Sequence, residues 1–262
     1  MRSIIDSISN QKIKYVCKIS DSSSFRKENG QFVLEGLRLC VDAALSGTII
    51  DSVFYTKKAY EKSSSQIEEI INRSKNVYEI SQSVCAKLSQ TENSQGVFCL
   101  CEMAGIPAVK SLDIKGKYIA LDNIQNPDNL GAISRTAEAL GIKGVIIKGG
   151  CDIYNPKALR ASMGSLLRLE VFKTENLVSF LSGLKDKGMK IYSTTPDNKA
   201  VSVTKADMSD GVVCVIGNEA NGVSDEVMTT CTGITIPMLG KAESLNAAMA
   251  AAITMWEMVR SL

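Results

Sequence analysis

The chain has 262 residues, enough for two domains of ordinary size, and its 45% hydrophobic and 22% charged residues are the balance of a globular protein. Thirty Lys and Arg stand against 28 Asp and Glu, a net charge of +2, so a polyanionic ligand must be met by local patches and not by a global field. Histidine is absent, which excludes Ser-His and Cys-His catalysis and the commonest metal ligand, and leaves acid–base work to carboxylates, Lys, Tyr, Cys or Arg.

The N-terminal stretch MRSIIDSISNQKIK lacks the apolar core of a signal peptide. Lys12, Lys14, Lys18, Arg26 and Lys27 form a basic cluster ahead of the first clear strand. By charge pattern alone this is a solvated face or a phosphate-contacting surface in equal measure. From 31 to 103 strand and helix signals alternate: QFVLEG, then a helix ending at Gly47, IDSVFYT, a polar-faced helix from Ala59 to Arg73, NVYEIS and GVFCLCEM. Strands separated by helices predict a mainly parallel α/β layer. Residues 104–116, AGIPAVKSLDIKG, hold a proline and no sustained period, and are expected to be a linker between domains at 1–103 and 117–262.

A second α/β series follows, with strands KYIALDNI, GVIIKGG, LEVFKT, KIYSTTP, VVCVIG and GITIPM and helices near 127–140, 156–168, 176–187 and 244–260. Asn126-Pro127 and Asn155-Pro156 each suit a helix cap followed by proline at the first helical position, and Gly141 suits a left-handed residue just past a helix end. Ser244 reads as the cap of the last helix, whose alanines predict a closely packed face. The run LNAAMAAAITMWEMV is too short and too interrupted to cross a bilayer. The eight cysteines, at 17, 40, 85, 99, 101, 151, 214 and 231, contain no C-x-x-C pair. They are expected to be free thiols in a reducing, cytoplasmic setting, with no metal site and no membrane contact.

Ligands of open parallel sheets bind beyond the carboxyl ends of the strands, and three polar segments fall there. NLGAISR places Asn129 at a helix start and Arg135 within the helix, off its apolar stripe of Leu130, Ile133, Ala137 and Leu140. IGNEANGV holds Glu219 between glycines. IPMLGKAESLNAAMA holds Ser244 and Asn246. Taken singly, each has a bland reading as a surface arginine, a loop carboxylate or a tightly packed helix.

Together and in this order, the three segments resemble the motifs of the SpoU (TrmH-like) family of RNA ribose 2′-O-methyltransferases. NPKALRASMGSLLRLEVF is also similar to family sequence. NQKIKYVCKI, FRKENGQFVLEG and SQGVFCL resemble the small ribosomal-protein-like α/β domain that many members carry in front. The resemblance implies a C-terminal α/β-knot (SPOUT) domain with a parallel sheet and a deep trefoil knot. It also implies a homodimer, S-adenosyl-L-methionine as cofactor, and methyl transfer to a ribose of structured RNA, with ribosomal RNA favoured over transfer RNA. Nothing in periodicity points to the knot.

By the same resemblance Arg135 is the catalytic arginine, acting either as a base after a strong local shift or by charge stabilisation and orientation. Asn129 positions the ribose or Arg135, Glu219 holds Arg135 or Asn129, and Ser244 and Asn246 complete the centre. Thr195, Gly217, Ile236, Met238 and Leu245 surround the cofactor largely through backbone groups, which accounts for the missing glycine-rich dinucleotide fingerprint. Asn10, Lys12, Lys14, Arg26 and Glu35 are expected on the RNA-contacting front domain, and Arg160 and Arg168 against RNA or a second subunit. The rival readings are a catalytically silent RNA-binding protein of the same fold and, disfavoured by the missing fingerprint, a nicotinamide dehydrogenase.

Overall fold

The computed structural model describes residues 3–105, 112–197 and 199–260. The middle of the expected linker, 106–111, lies outside the described residues. The chain packs into two compact units, one of Met1–Gly105 with Asp152–Leu167, the other of Ile106–Cys151 with Arg168–Leu262.

The first unit runs β1 (Ser3–Ile5), α1 (Gln11–Asp21), α2 (Ser23–Asn29), β2 (Gln31–Glu35), α3 (Leu37–Leu45), β3 (Ile50–Thr56), α4 (Lys57–Ile71), β4 (Ser74–Ile80), α5 (Gln82–Leu88) and β5 (Val97–Glu102). The sheet order is β1-β4-β3-β5-β2. β1, β4 and β3 are parallel, but β5 runs antiparallel to both β3 and β2. The sheet is therefore mixed, not mainly parallel as the helix–strand alternation predicts. Ile13, Val16 and Ile19, spaced three apart on α1, are fully buried over the sheet with Phe54, Phe98 and Leu100.

The second unit begins with β6 (Lys117–Asp122), α6 (Pro127–Ala139) and β7 (Gly144–Lys148). The chain then passes through α7 (Pro156–Ala161) and α8 (Ser165–Arg168). The single helix expected over 156–168 is broken at Met163 and Gly164, whose φ angles of 50° and 85° lie in the left-handed region and cannot continue a right-handed helix. The chain continues with β8 (Glu170–Lys173), α9 (Leu177–Lys185), β9 (Lys190–Thr194), β10 (Val201–Ser202), β11 (Val212–Gly217), α10 (Asp225–Met228), β12 (Thr232–Thr235) and α11 (Ala247–Val259). All seven strands are parallel, in the order β10-β12-β9-β11-β6-β7-β8. β11 and β6 are buried along nearly their whole length, as strands covered on both faces must be.

Two local expectations meet different outcomes. Asn126 and Asn155 cap α6 and α7 through their side chains, and Gly141 takes φ 71° just past the end of α6. Ser244, by contrast, does not cap α11. The helix starts two residues later, and Asn246 Oδ1 accepts the backbone N–H of Ala248 at 2.8 Å, asparagine being at least as good a cap as serine. No helix among the described residues is long and apolar enough to cross a membrane.

Candidate active site

β6 pairs with β11 on one side and β7 on the other, so successive connections diverge there. That is the switch point where open parallel sheets bind ligands. A cavity of about 360 Å³ opens at the carboxyl ends of β9 and β11 and beside the segment after β12. Thr195, Gly217, Ile236, Met238 and Leu245 all line it, as do Glu219 and Ser244. Its apolar wall is completed by Ile216, Ala247 and Ala250. Gly217 is a position where only glycine fits, because a Cβ there would overlap the backbone of Gly222 and Val223. The loop that follows is pinched shut by reciprocal backbone hydrogen bonds of 2.9 Å between Asn218 and Gly222, which leaves Glu219 near its tip.

Glu219 reaches from this loop to the N-terminus of α6. Its Oε1 accepts the backbone N–H of Asn126 at 3.0 Å and Asn129 Nδ2 at 2.9 Å, and its Oε2 accepts the N–H of Gln125 at 3.1 Å. Three otherwise orphaned donors at a positive helix end meet one carboxylate. Burial pushes the Glu219 carboxyl upward, but the hydrogen bonds from Asn129 and from the backbone of Gln125, Glu219 and Asn126 outweigh it and hold it below the ordinary glutamate range. Asn129, itself buried, then accepts Asn246 Nδ2 on its Oδ1 at 3.1 Å. A single hydrogen-bonded chain thus runs from Glu219 through Asn129 to the cap of α11. It joins three segments that lie up to 117 positions apart in sequence.

Arg135 does not join that chain. It sits on α6 six residues beyond Asn129, about 240° further round the helix axis. Its side chain is exposed, outside the cavity, and has no hydrogen bond or ion pair to any described residue. Glu219 therefore orders Asn129 and not Arg135. Of the α11 side chains, Met249, Ile253 and Trp256 are exposed at spacings of four and three.

Residues unremarked in the sequence reading support this arrangement. Asn218 donates its Nδ2 to the carbonyl of Asn123 at 2.9 Å and accepts the backbone N–H groups of Ala220 and Asn221. Asn123 holds φ 62°, a conformation asparagine tolerates. Asp122, only 2% exposed, accepts the Ser224 backbone N–H and hydroxyl at 2.9 and 2.7 Å and Lys148 Nζ at 3.0 Å. Burial raises its pKa, yet the Ser224 bonds and Lys148 leave it below the usual aspartate value. A carboxylate closing an apolar strand is the signal that could have found it, since such a charge stays buried only when paired.

The front-domain candidates are placed less uniformly. Lys12 and Lys14 are exposed, with Lys12 Nζ 5.3 Å from the Tyr78 ring centroid. Asn10 caps α1, accepting the N–H of Lys12 at 2.9 Å. Arg26 is 2% exposed: its Nε donates to Asp152 Oδ2 at 2.8 Å and its Nη1 to the carbonyls of Ile19 and Ser20 at 2.9 and 2.7 Å. Glu35 is also buried and organises a loop, accepting the hydroxyls of Ser89 and Thr91, both at 2.7 Å, and the N–H of Gln90 at 3.0 Å. Neither side chain is free to touch RNA directly. Sequence pattern carries no information on partners this distant, 126 positions from Arg26 and 54 to 56 from Glu35. Arg160 lies 3.6 Å from Glu35, and Arg168 makes a two-point contact with Glu138 of α6.

The parallel sheet and the cavity at the carboxyl ends of β9 and β11 are those of an α/β protein that takes its ligand at the strand ends. Residues 116–256 match the SpoU rRNA Methylase family, and residues 10–99 match the MRM3-like substrate binding domain. The chain is 32% identical over 256 residues to the 23S rRNA (guanosine(2553)-2′-O)-methyltransferase RlmP of Bacillus subtilis (strain 168), covering 97% of this chain and 98% of that one. Among solved structures it is similar to the AdoMet-bound rRNA methyltransferase from Sinorhizobium meliloti, with TM-score 0.89, 28% identity, and 99% and 98% of the two chains covered. It is also similar to the SpoU methyltransferase AviRb from Streptomyces viridochromogenes in complex with AdoMet, with TM-score 0.83, 25% identity, and 96% and 98% covered. The chain belongs to the SpoU family and is an RNA methyltransferase.

Proposed function

We propose that the protein transfers a methyl group from S-adenosyl-L-methionine to the 2′-hydroxyl of a ribose in ribosomal RNA, most naturally that of the large subunit. The hydrogen-bonded chain Glu219–Asn129–Asn246 at the mouth of the cavity carries this reading. The cavity fits the cofactor: its volume suits a nucleoside-sized ligand, its wall is apolar, and the glycine at 217 lets backbone rather than side chains form its floor. Thr195, Gly217, Ile236, Met238 and Leu245 would hold it. When bound it supplies an electrophilic methyl group. Asn129, locked in one orientation by Glu219 and Asn246, positions the incoming ribose, and Ser244 lines the approach.

Arg135 provides positive charge. Exposed and unpaired, it keeps its guanidinium available for a ribose-flanking phosphate and for the oxygen as its proton leaves to solvent. Because it faces away from its own cavity, we assign it to the cavity of a second copy in a homodimer. The exposed apolar row Met249, Ile253 and Trp256 on α11 supports that assembly, since such a row is costly to leave in water. We retain the trefoil knot of the C-terminal domain, the sequence division 1–103, 104–116 and 117–262, and a cytoplasmic location as parts of this proposal. In the front domain Lys12 and Lys14 serve as phosphate contacts, while Asn10, Arg26 and Glu35 shape the surface beneath them. The end-to-end likeness to relatives named as rRNA enzymes favours rRNA over tRNA.

Replacing Arg135 by Ala is expected to abolish methyl transfer to rRNA from cells lacking the gene, while S-adenosylhomocysteine still binds in calorimetry. Full activity of that variant refutes the assignment of Arg135. Binding of NAD in place of S-adenosylhomocysteine refutes the methyltransferase reading, and an inactive but RNA-binding wild type establishes the silent alternative.

A further inference from the structure

A second cavity, of about 380 Å³, lies wholly within the first unit, between α1 and the sheet. Val16, Phe54 and Leu100 give it an apolar floor. Polar groups of opposite kinds stand on its walls. The ladder between β3 and β5 slips one residue between Ile50 and Ser52, a bulge that takes Asp51 out of register, and bulges of this kind re-aim a side chain. Asp51 lines the cavity. Its Oδ2 accepts the Ser52 hydroxyl at 2.7 Å, which leaves Oδ1 open to an incoming donor.

Gln31 lines the cavity as well. Its Oε1 accepts the Tyr15 hydroxyl at 2.7 Å, so its amide NH₂ is left with no hydrogen bond to a described residue. Burial, and then the Asp51 carboxylate, push the Tyr15 phenol up, which keeps it protonated and the glutamine oriented. Lys12 stands at the rim, its ammonium placed to meet a phosphate.

We propose that this cavity is a reading pocket for one unstacked base of the RNA substrate, with guanine its preferred occupant. The proposal rests on the RNA-methyltransferase reading and adds a specificity site to it. An apolar slot with an aromatic floor takes a splayed base, which single-stranded RNA presents in loops and bulges. The unpaired Gln31 amide donates to a base carbonyl, and the open Asp51 oxygen accepts from ring N–H and amino groups. Guanine carries O6, N1–H and N2–H₂ along one edge and so satisfies both. Uracil has a single N–H between two carbonyls and leaves the carboxylate facing an acceptor, and adenine has no carbonyl for Gln31. Lys12 supplies the backbone contact that holds register but reads no sequence.

The test uses the full-length protein and two readouts. Saturation-transfer NMR with 5′-GMP, 5′-AMP, 5′-CMP and 5′-UMP is expected to show the strongest transfer to GMP, lost in Asp51→Asn. Steady-state methylation of unmethylated rRNA by Asp51→Asn and by Gln31→Glu is expected to show KM for RNA raised about tenfold or more, with kcat at saturating RNA and S-adenosylhomocysteine affinity unchanged. Gln31→Glu also controls for folding, since it keeps the shape and the acceptor for Tyr15 while replacing the amide donor by a charged acceptor beside Asp51. Equal transfer from all four nucleotides, or unchanged KM in both variants, overturns the pocket while leaving methyl transfer intact. If wild-type protein methylates no RNA yet still prefers GMP, the enzymatic reading fails and the pocket stands.

Discussion

Arg26 allows the sharpest test of how this chain is held together. Truncation to Ala removes its hydrogen bonds to Asp152 and to the carbonyls of Ile19 and Ser20, at a site where arginine and aspartate side chains are 2% and 8% exposed. The Asp152 carboxylate keeps the Ser23 hydroxyl at 3.0 Å and the N–H of Tyr154 at 3.0 Å, but loses the Arg26 guanidinium. Removing one member of a buried pair costs about 3–5 kcal/mol. At about 2–4 °C per kcal/mol for a chain of this size, the melting temperature should fall by roughly 10 °C in scanning calorimetry. Pairing Arg26→Met with Asp152→Asn removes the buried carboxylate charge together with its guanidinium and should recover most of the loss. RNA affinity of the folded variant should keep its salt dependence, because no phosphate contact is removed. A drop below about 2 °C, with the slope of log affinity against log salt reduced by about one, refutes burial and makes Arg26 a phosphate contact.

Glu219→Gln should lower kcat by more than it weakens S-adenosylhomocysteine binding, because it frees Asn129 to rotate; equal losses in both would place Glu219 on the cofactor instead. Glu219 and Asp122 are both held below their ordinary carboxylate values. Their stabilising contribution is therefore complete above the unfolded values of 4.5 and 3.8 and is lost as pH falls through the lower folded values. Acid unfolding should set in below about pH 4 and should be less steep in Glu219→Gln; an unaltered profile would show that Glu219 is not among the groups responsible. Asn246→Ala should cost about 1 kcal/mol as a lost helix cap and also reduce activity through Asn129; loss of stability with full activity would separate the two roles. Trp256→Asp should yield monomers in sedimentation and inactive protein, whereas an active monomer would refute the assignment of Arg135 to a second copy's cavity.

What could be read in advance was local. Asn-Pro before α6 and α7, glycine just past α6, and long apolar runs at β6 and β11 each follow from interactions within a few residues. Contacts between distant segments could not be read. Nothing near Arg26 in sequence announces Asp152, and nothing near Glu35 announces the loop at 89–91. The bland local reading of Asn129 as a surface polar residue is displaced only when Glu219 and Asn246 are seen beside it. The break at Met163 and Gly164 did carry a local signal, the Ser-Met-Gly-Ser run with a glycine suited to a helix end, which the continuous apolar pattern on either side outweighed. The antiparallel course of β5 was invisible because it is set by pairing with β3 and β2, which lie more than 40 positions earlier in the chain.

Neither compact unit is a continuous piece of the chain, since Asp152–Leu167 packs with Met1–Gly105. During synthesis, α2 is therefore complete long before the residue that neutralises its arginine exists, 126 positions later. At about 5–20 residues per second that is a delay of roughly 6–25 s, through which Arg26 must remain hydrated. The first unit is still the earlier to be finished, at Leu167, but it can close only after β6 and β7 of the second have already been translated.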